Sequence, residues 1–285
     1  MKETRKIEKM YKSQPTIEGA GVHLRRAFGF AEVPLFDPFL MLDDFRGDRP
    51  DQYIKGFPWH PHRGIETITY MLHGEVDHGD SLGNKGVIRP GDVQWMTAGS
   101  GIVHQEMPRG DAGGRMGGFQ LWANLPAAQK MIDPRYRDVK REQIPVVSLK
   151  NGIEIRVVCG EIEGKKGPVQ NIVIDPQYLD VSVPRGSEFT HAIKRGHTAF
   201  AYVFEGSGRF GDQKAKPAGG GSLVLFSDGD QVAVTTQEEP ARFLLISGKP
   251  IGEPVAWRGP IVMNTQAELK LAFEEYGNGT FIKHR

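Results

Sequence analysis

The chain has 285 residues, with 36 Lys+Arg against 35 Asp+Glu and a single cysteine, Cys159. That length suits one large domain or two small ones, and a net charge of +1 supplies no field to gather polyanions, so no direct nucleic-acid binding is expected. One thiol excludes an internal disulfide and a thiolate metal cluster and fits a reducing compartment. The opening MKETRKIEKM lacks the apolar core of a secretory signal, and no segment approaches the roughly 20 apolar residues of a membrane span. A cytoplasmic protein that does not engage membranes is therefore expected.

Short runs rich in β-branched and aromatic residues follow one another along the chain. In order they are Phe39–Leu42, Ile65–Leu72, Val93–Met96, Phe119–Leu125, Ile153–Val158, Ala199–Phe204, Leu223–Phe226, Val232–Thr235 and Phe243–Ile246. The 36 glycines and 19 prolines are spread between these runs, as in an all-β sandwich, jelly roll or barrel. Helical spacing is clear only near the C-terminus. Thr265 and Glu268 form a capping box, Leu269, Leu271, Ala272, Phe273 and Tyr276 follow, and Gly277 stands where a helix would end.

The pattern also repeats. Tyr70-Met-Leu-His-Gly74 aligns with Tyr202-Val-Phe-Glu-Gly206, and the same offset sets Gly79-Asp80 on Gly211-Asp212. Two similar β units are expected, residues 1–134 and 135–285, with the helix in the second.

Three of the nine histidines have the spacing of metal ligands. In an extended chain residues i and i+2 share a face, so His60 and His62 in Trp59-His-Pro-His-Arg-Gly-Ile-Glu66 present two imidazoles to one ion. His104 and Glu106 have the same relation. Brought together on facing strands, the two pairs offer three nitrogens and a carboxylate. This set suits iron, manganese, nickel, copper or zinc better than calcium or magnesium. The spacing alone leaves a closed structural zinc site open. His73, His78, His191 and His197 show no such pairing and read as turn or surface residues. Phe57, Trp59, Met96, Met107 and Phe119 stand near the motifs and could line an aromatic pocket, although each taken singly reads as core.

The order His-x-His-x-x-x-Glu, then Pro90-Gly-Asp, then a later His resembles the paired motifs of the cupin superfamily. More narrowly, Phe57-Pro-Trp-His-Pro-His-Arg-Gly-Ile-Glu-Thr67 and Pro90 through Pro108 resemble the signature segments of the pirin family, as do Asp37-Pro-Phe-Leu40 and Arg258-Gly-Pro-Ile261. The resemblance covers most of the chain. It implies an all-β bicupin, two stacked jelly-roll β-barrels with a short C-terminal helix. It also implies Fe(2+) in the N-terminal unit, held by His60, His62, His104 and Glu106, with Glu66 orienting a ligating imidazole from behind.

The offset of the repeat puts Ala192 and Lys194 where the first unit has His60 and His62, and Val234 and Thr236 where it has His104 and Glu106. No metal is expected in the second unit. By the same resemblance the chain is expected to be a dioxygenase of the quercetin 2,3-dioxygenase type. It would act on a small aromatic substrate and dioxygen, with Glu106 as the catalytic base. Its alternative is an iron-containing, redox-sensing regulator that binds a transcription factor or a metabolic enzyme. A weaker third reading is another cupin chemistry, such as sugar isomerisation.

Overall fold

A computed structural model describes residues 2–212 and 214–284. All nine expected strands are present, and the described residues add others that composition hides. Ile7–Lys12 and Gln14–Glu18, for example, are too charged to stand out as strands. The one α-helix among the described residues is Gln266–Gly277. Its Thr265 hydroxyl accepts from the Glu268 amide (3.2 Å) and the Glu268 carboxylate accepts from the Thr265 amide (2.8 Å), so both halves of the capping box form. The helix runs through Gly277 and is capped by Asn278, two residues later than a C′ glycine at 277 would place the cap.

The chain divides into two compact units, and neither is contiguous in sequence. One comprises Gln14–Arg141 together with the residues from Ile251 onward. The other comprises Glu142–Pro250 with the residues up to Ser13. This differs in two ways from a single cut at residue 134. The strand Ile7–Lys12 pairs with Ser222–Phe226 of the later unit, whereas the C-terminal helix belongs with the earlier one. The physical reason lies in what each terminal segment covers. Arg5 is 1% exposed and spends its guanidinium on the carbonyls of Lys194, His197, Ser227 and Gly229, which welds the N-terminal residues to the later unit. Arg63, 2% exposed, donates to the Ser100 carbonyl (2.7 Å), to Glu275 of the helix (2.7 Å) and to the Phe281 carbonyl (2.8 Å).

In the earlier unit two antiparallel sheets pack with an apolar core between them, in place of one continuous barrel wall. The seven-stranded sheet runs Arg135–Val139, Val93–Thr97, Ile65–His73, Gly117–Asn124, Phe39–Asp44, Val22–Phe28, Gln14–Glu18. The four-stranded sheet runs Phe57–His62, Ile102–Arg109, Glu75–Asp80, Lys85–Ile88. Val22, Leu24 and Met71 of the first, with Phe45 just beyond its strand Phe39–Asp44, pack against Val76 and Ile88 of the second, as in a jelly roll.

The later unit repeats the plan. Thr198–Phe210 lies between Ser222–Phe226 and Ala241–Gly248, as Ile65–His73 lies between Val93–Thr97 and Gly117–Asn124. The repeat extends to backbone detail. Gly74 and Gly206 both hold positive φ (67° and 63°), where a side chain is disfavoured, and both have a neighbouring carbonyl where a Cβ would sit. The main core of this unit is an apolar cluster built from residues such as Ile155, Leu179, Phe210 and Phe243. No helix among the described residues is long and apolar enough to cross a membrane.

Candidate metal centre

The strands Phe57–His62 and Ile102–Arg109 are antiparallel neighbours, and their register sets His104 directly opposite His60. Pro61 takes the opposite face of its strand, so His60 and His62 turn inward together. The ligand atoms of His60, His62 and His104 all lie within 4.8 Å of one another. A register shift between His104 and Glu106 places Glu106 opposite Phe57. Glu106 lies outside that close group, yet its side chain lines the same cavity.

The tautomers of two histidines follow from their partners. His60 Nδ1 lies 2.8 Å from the Pro58 carbonyl, and His62 Nδ1 lies 3.0 Å from the Pro260 carbonyl. A carbonyl only accepts, so each Nδ1 carries the proton and each Nε2 is left with a lone pair. Those two Nε2 atoms are 3.1 Å apart. Two lone pairs at that distance repel unless a cation lies between them. His104 is 1% exposed, and neither of its ring nitrogens has a hydrogen-bond partner. Two facing lone pairs and an unpartnered buried imidazole are what a ligand set for a transition metal requires, so the residues fit the group that the sequence motif implies.

The electrostatics agree. Burial lowers the basicity of all three rings, well below the ordinary histidine value for His62 and His104, and the neighbouring imidazoles add to the effect at those two. They are therefore neutral, as ligands must be. Burial pushes the Glu106 carboxyl the other way, up to about 7, opposed by Thr69. A positive charge placed beside it would draw it down again. Thr69 Oγ1 has one proton and donates it to Gln120 Oε1 (2.6 Å), which leaves Glu106 Oε1 at a long 3.4 Å.

The cavity beside the histidines has a volume of about 700 Å³. One wall is aromatic. Trp122 meets His62 edge to face with centroids 5.1 Å apart, Trp257 lies 5.8 Å beyond it, and Phe30 is 5.5 Å from Trp257. Phe57 and Trp59 also line it, Trp59 being 52% exposed. Met96 and Phe119, at 1% and 0% exposure, are core instead, and Met107 is not among the lining residues.

Two further expectations change. Glu66 is buried, but its oxygens accept from Trp95 Nε1 (2.9 Å) and the Thr97 hydroxyl (2.6 Å), and it braces the sheet. The imidazoles are oriented by the carbonyls of Pro58 and Pro260, which no side-chain motif could announce. His78 is no surface residue. It is 6% exposed, accepts from the Gln94 amide (3.0 Å) and stacks on Tyr136. In the later unit the positions matching the two histidines are exposed Ala192 and Lys194, the latter paired with Asp175.

The matches to known proteins agree with this geometry. The family model described as Pirin matches residues 21–123, and that of the Pirin C-terminal cupin domain matches residues 178–282. A pirin-like protein of Caulobacter vibrioides is 46% identical over 97% of this chain and 99% of its own length. A pirin-like protein of Solanum lycopersicum is 44% identical over 92% of this chain and 88% of its own. The crystal structure of a quercetin 2,3-dioxygenase from Acinetobacter baumannii superposes with a TM-score of 0.89, at 32% identity and 98% coverage of both chains.

Proposed function

The chain belongs to the pirin family, with two cupin domains, and from that premise we propose that it is an iron-dependent dioxygenase that opens the ring of a flavonol-type aromatic substrate. The observation that carries this reading is the histidine triad, two of whose members, His60 and His62, line a large, aromatic-sided cavity. The likeness to a structure known as a quercetin 2,3-dioxygenase supports it. His60, His62 and His104 would hold the iron, with Glu106 as the fourth ligand. Iron(II) supplies a Lewis acid that acidifies a bound hydroxyl and a one-electron centre suited to dioxygen.

The chain's own residues have three tasks. The carbonyls of Pro58 and Pro260 fix two imidazoles with their lone pairs inward. The Trp122–Trp257 wall takes the flat face of an aromatic ring and excludes water from it. Glu106 lines the cavity, where it receives the substrate's hydroxyl proton as the oxygen becomes anionic. Thr69 stands beside that carboxylate, its hydroxyl turned to Gln120, and both line the cavity with it.

The direct test is oxygen uptake and carbon monoxide release by protein loaded with iron(II) under argon and then given a flavonol and air. Release of carbon monoxide in step with oxygen uptake is expected. Iron-loaded protein that leaves the flavonol intact would overturn the enzymatic reading in favour of a regulatory one.

A further inference from the structure

On the inner face of the seven-stranded sheet five polar side chains stand in one row. Arg26 is opposite Asp43, Asp43 opposite Gln120, Gln120 opposite Thr69, and Thr69 opposite Gln94. The adjacent row, Met41, Trp122, Thr67 and Met96, is mostly apolar, as an inner face should be. Four of the five polar residues, from Arg26 to Thr69, line the cavity. At the spacing of neighbouring strands they span roughly 14 Å, enough for a substrate of two or three linked rings.

The hydrogen bonds show what this row has left to offer. Arg26 is held between two carboxylates: Nε and Nη2 donate to Asp43 (2.9 and 2.8 Å), and Nη1 meets Glu18 at 2.9 Å. An anion would have to compete with both carboxylates for it. Two carboxylates against one guanidinium leave that end of the cavity with a surplus negative charge. The Asp43 carboxylate, 4% exposed, has spare lone pairs beyond its two bonds to Arg26, and Glu18 stands at the mouth with 42% exposure. In mid-row Gln120 uses its oxygen on Thr69, so its amide hydrogens remain for a ligand.

We propose that Gln120, Asp43 and Glu18 form a specificity subsite for an uncharged, polyhydroxylated aromatic: Gln120 donates to a ring oxygen, the carboxylates accept from phenolic hydroxyls at the end away from the histidines, and substrates anionic at that end are refused. This deepens the dioxygenase reading and rests on it for the identity of the cavity as the substrate site. The refusal follows from like charge in a poorly solvated wall, and the preference from hydrogen bonds to a carboxylate that are stronger than neutral ones.

Trp59, Trp122 and Trp257 line the cavity, so quenching of tryptophan fluorescence under argon reads binding without turnover. Three probes suffice: quercetin, with two adjacent outer-ring hydroxyls; galangin, which lacks both; and a quercetin sulfonated on that ring. Wild-type protein is expected to bind quercetin about tenfold more tightly than galangin, and the sulfonate at least tenfold more weakly than quercetin. Glu18→Gln should recover severalfold of the loss for the sulfonate, and Gln120→Leu should weaken quercetin and galangin alike. A thermal melt checks that each variant folds, and the three wild-type affinities decide the matter if one does not. Equal affinities for all three probes would overturn the subsite. The expected order of affinities without turnover would overturn the dioxygenase reading and leave the subsite standing.

Discussion

The Nε2 atoms of His60 and His62 stand 3.1 Å apart while each Nδ1 is committed to a backbone carbonyl. A bound cation turns that repulsion into attraction, so metal and stability are coupled. Adding a transition metal to chelated protein should raise the melting temperature, with a gain of about 2.7 kcal/mol once the free metal reaches a hundredfold its dissociation constant. Calorimetry with and without metal checks this, and an unchanged melt would remove the site. Protons compete with the metal for the rings, and burial lowers the basicity of all three. Bound metal should therefore persist as the pH falls through 6.5, the ordinary histidine value, and be lost only further down.

Glu106 and Glu66 should part company on substitution. Glu106→Ala is expected to lower metal content more than Glu66→Ala. Glu66→Ala should instead lower stability by about 2–4 kcal/mol, because the Trp95 indole and the Thr97 hydroxyl lose a buried acceptor. Metal analysis and urea unfolding of both variants separate the two roles, and the reverse order would sink the ligand assignment.

Lys130 is 2% exposed, and its ammonium donates to the Gly64 carbonyl (2.9 Å), Asn124 Oδ1 (2.6 Å) and the Val262 carbonyl (3.0 Å). It ties the turn after His62 to the strand after Pro260. Lys130→Met fills the space but strands three acceptors, so a loss of about 3 kcal/mol is expected. A weaker hold on metal should accompany it, although no ligand has changed. Normal metal affinity in a destabilised variant would show that Lys130 serves the fold alone.

His191 offers a pH test remote from the metal. Burial lowers it to about 4, with its Nε2 on Gln177 Oε1 at 2.8 Å. Between pH 4 and the unfolded value near 6.5 the unfolded chain binds the proton and the folded one does not, so stability rises with pH across that window. The contribution is about 3 kcal/mol at pH 7 and is lost as the pH falls toward 4. In His191→Gln the dependence should be shallower by that amount, as denaturant melts across the window would show. Parallel curves would refute it.

The histidine cluster was legible in part because a strand's period of two turns His60 with His62 to one side, and that rule needs no long-range information; the same rule paired His104 with Glu106, but the register shift between them leaves Glu106 outside the close group. The apolar strands and the capping box at Thr265 are local for the same reason. The misreadings share the opposite cause. Glu66 was expected behind an imidazole, but its true partners, Trp95 and Thr97, lie a strand away. The row from Arg26 to Thr69 exists only once three registers are fixed, and in sequence its members look like the solvent side of unrelated strands. His78 is a pairless histidine in the chain and a buried one in the sheet.

The crossing-over of the two ends carries a consequence for biosynthesis. The carbonyl that steers His62 belongs to Pro260, some two hundred residues downstream, and the helix that clamps Arg63 comes later still. A ribosome would have delivered His60, His62 and His104 long before the parts that aim and clamp them. A metal ion met early would find a loosely arranged trio, and the final arrangement of the rings must wait until Pro260 and the helix have left the exit tunnel.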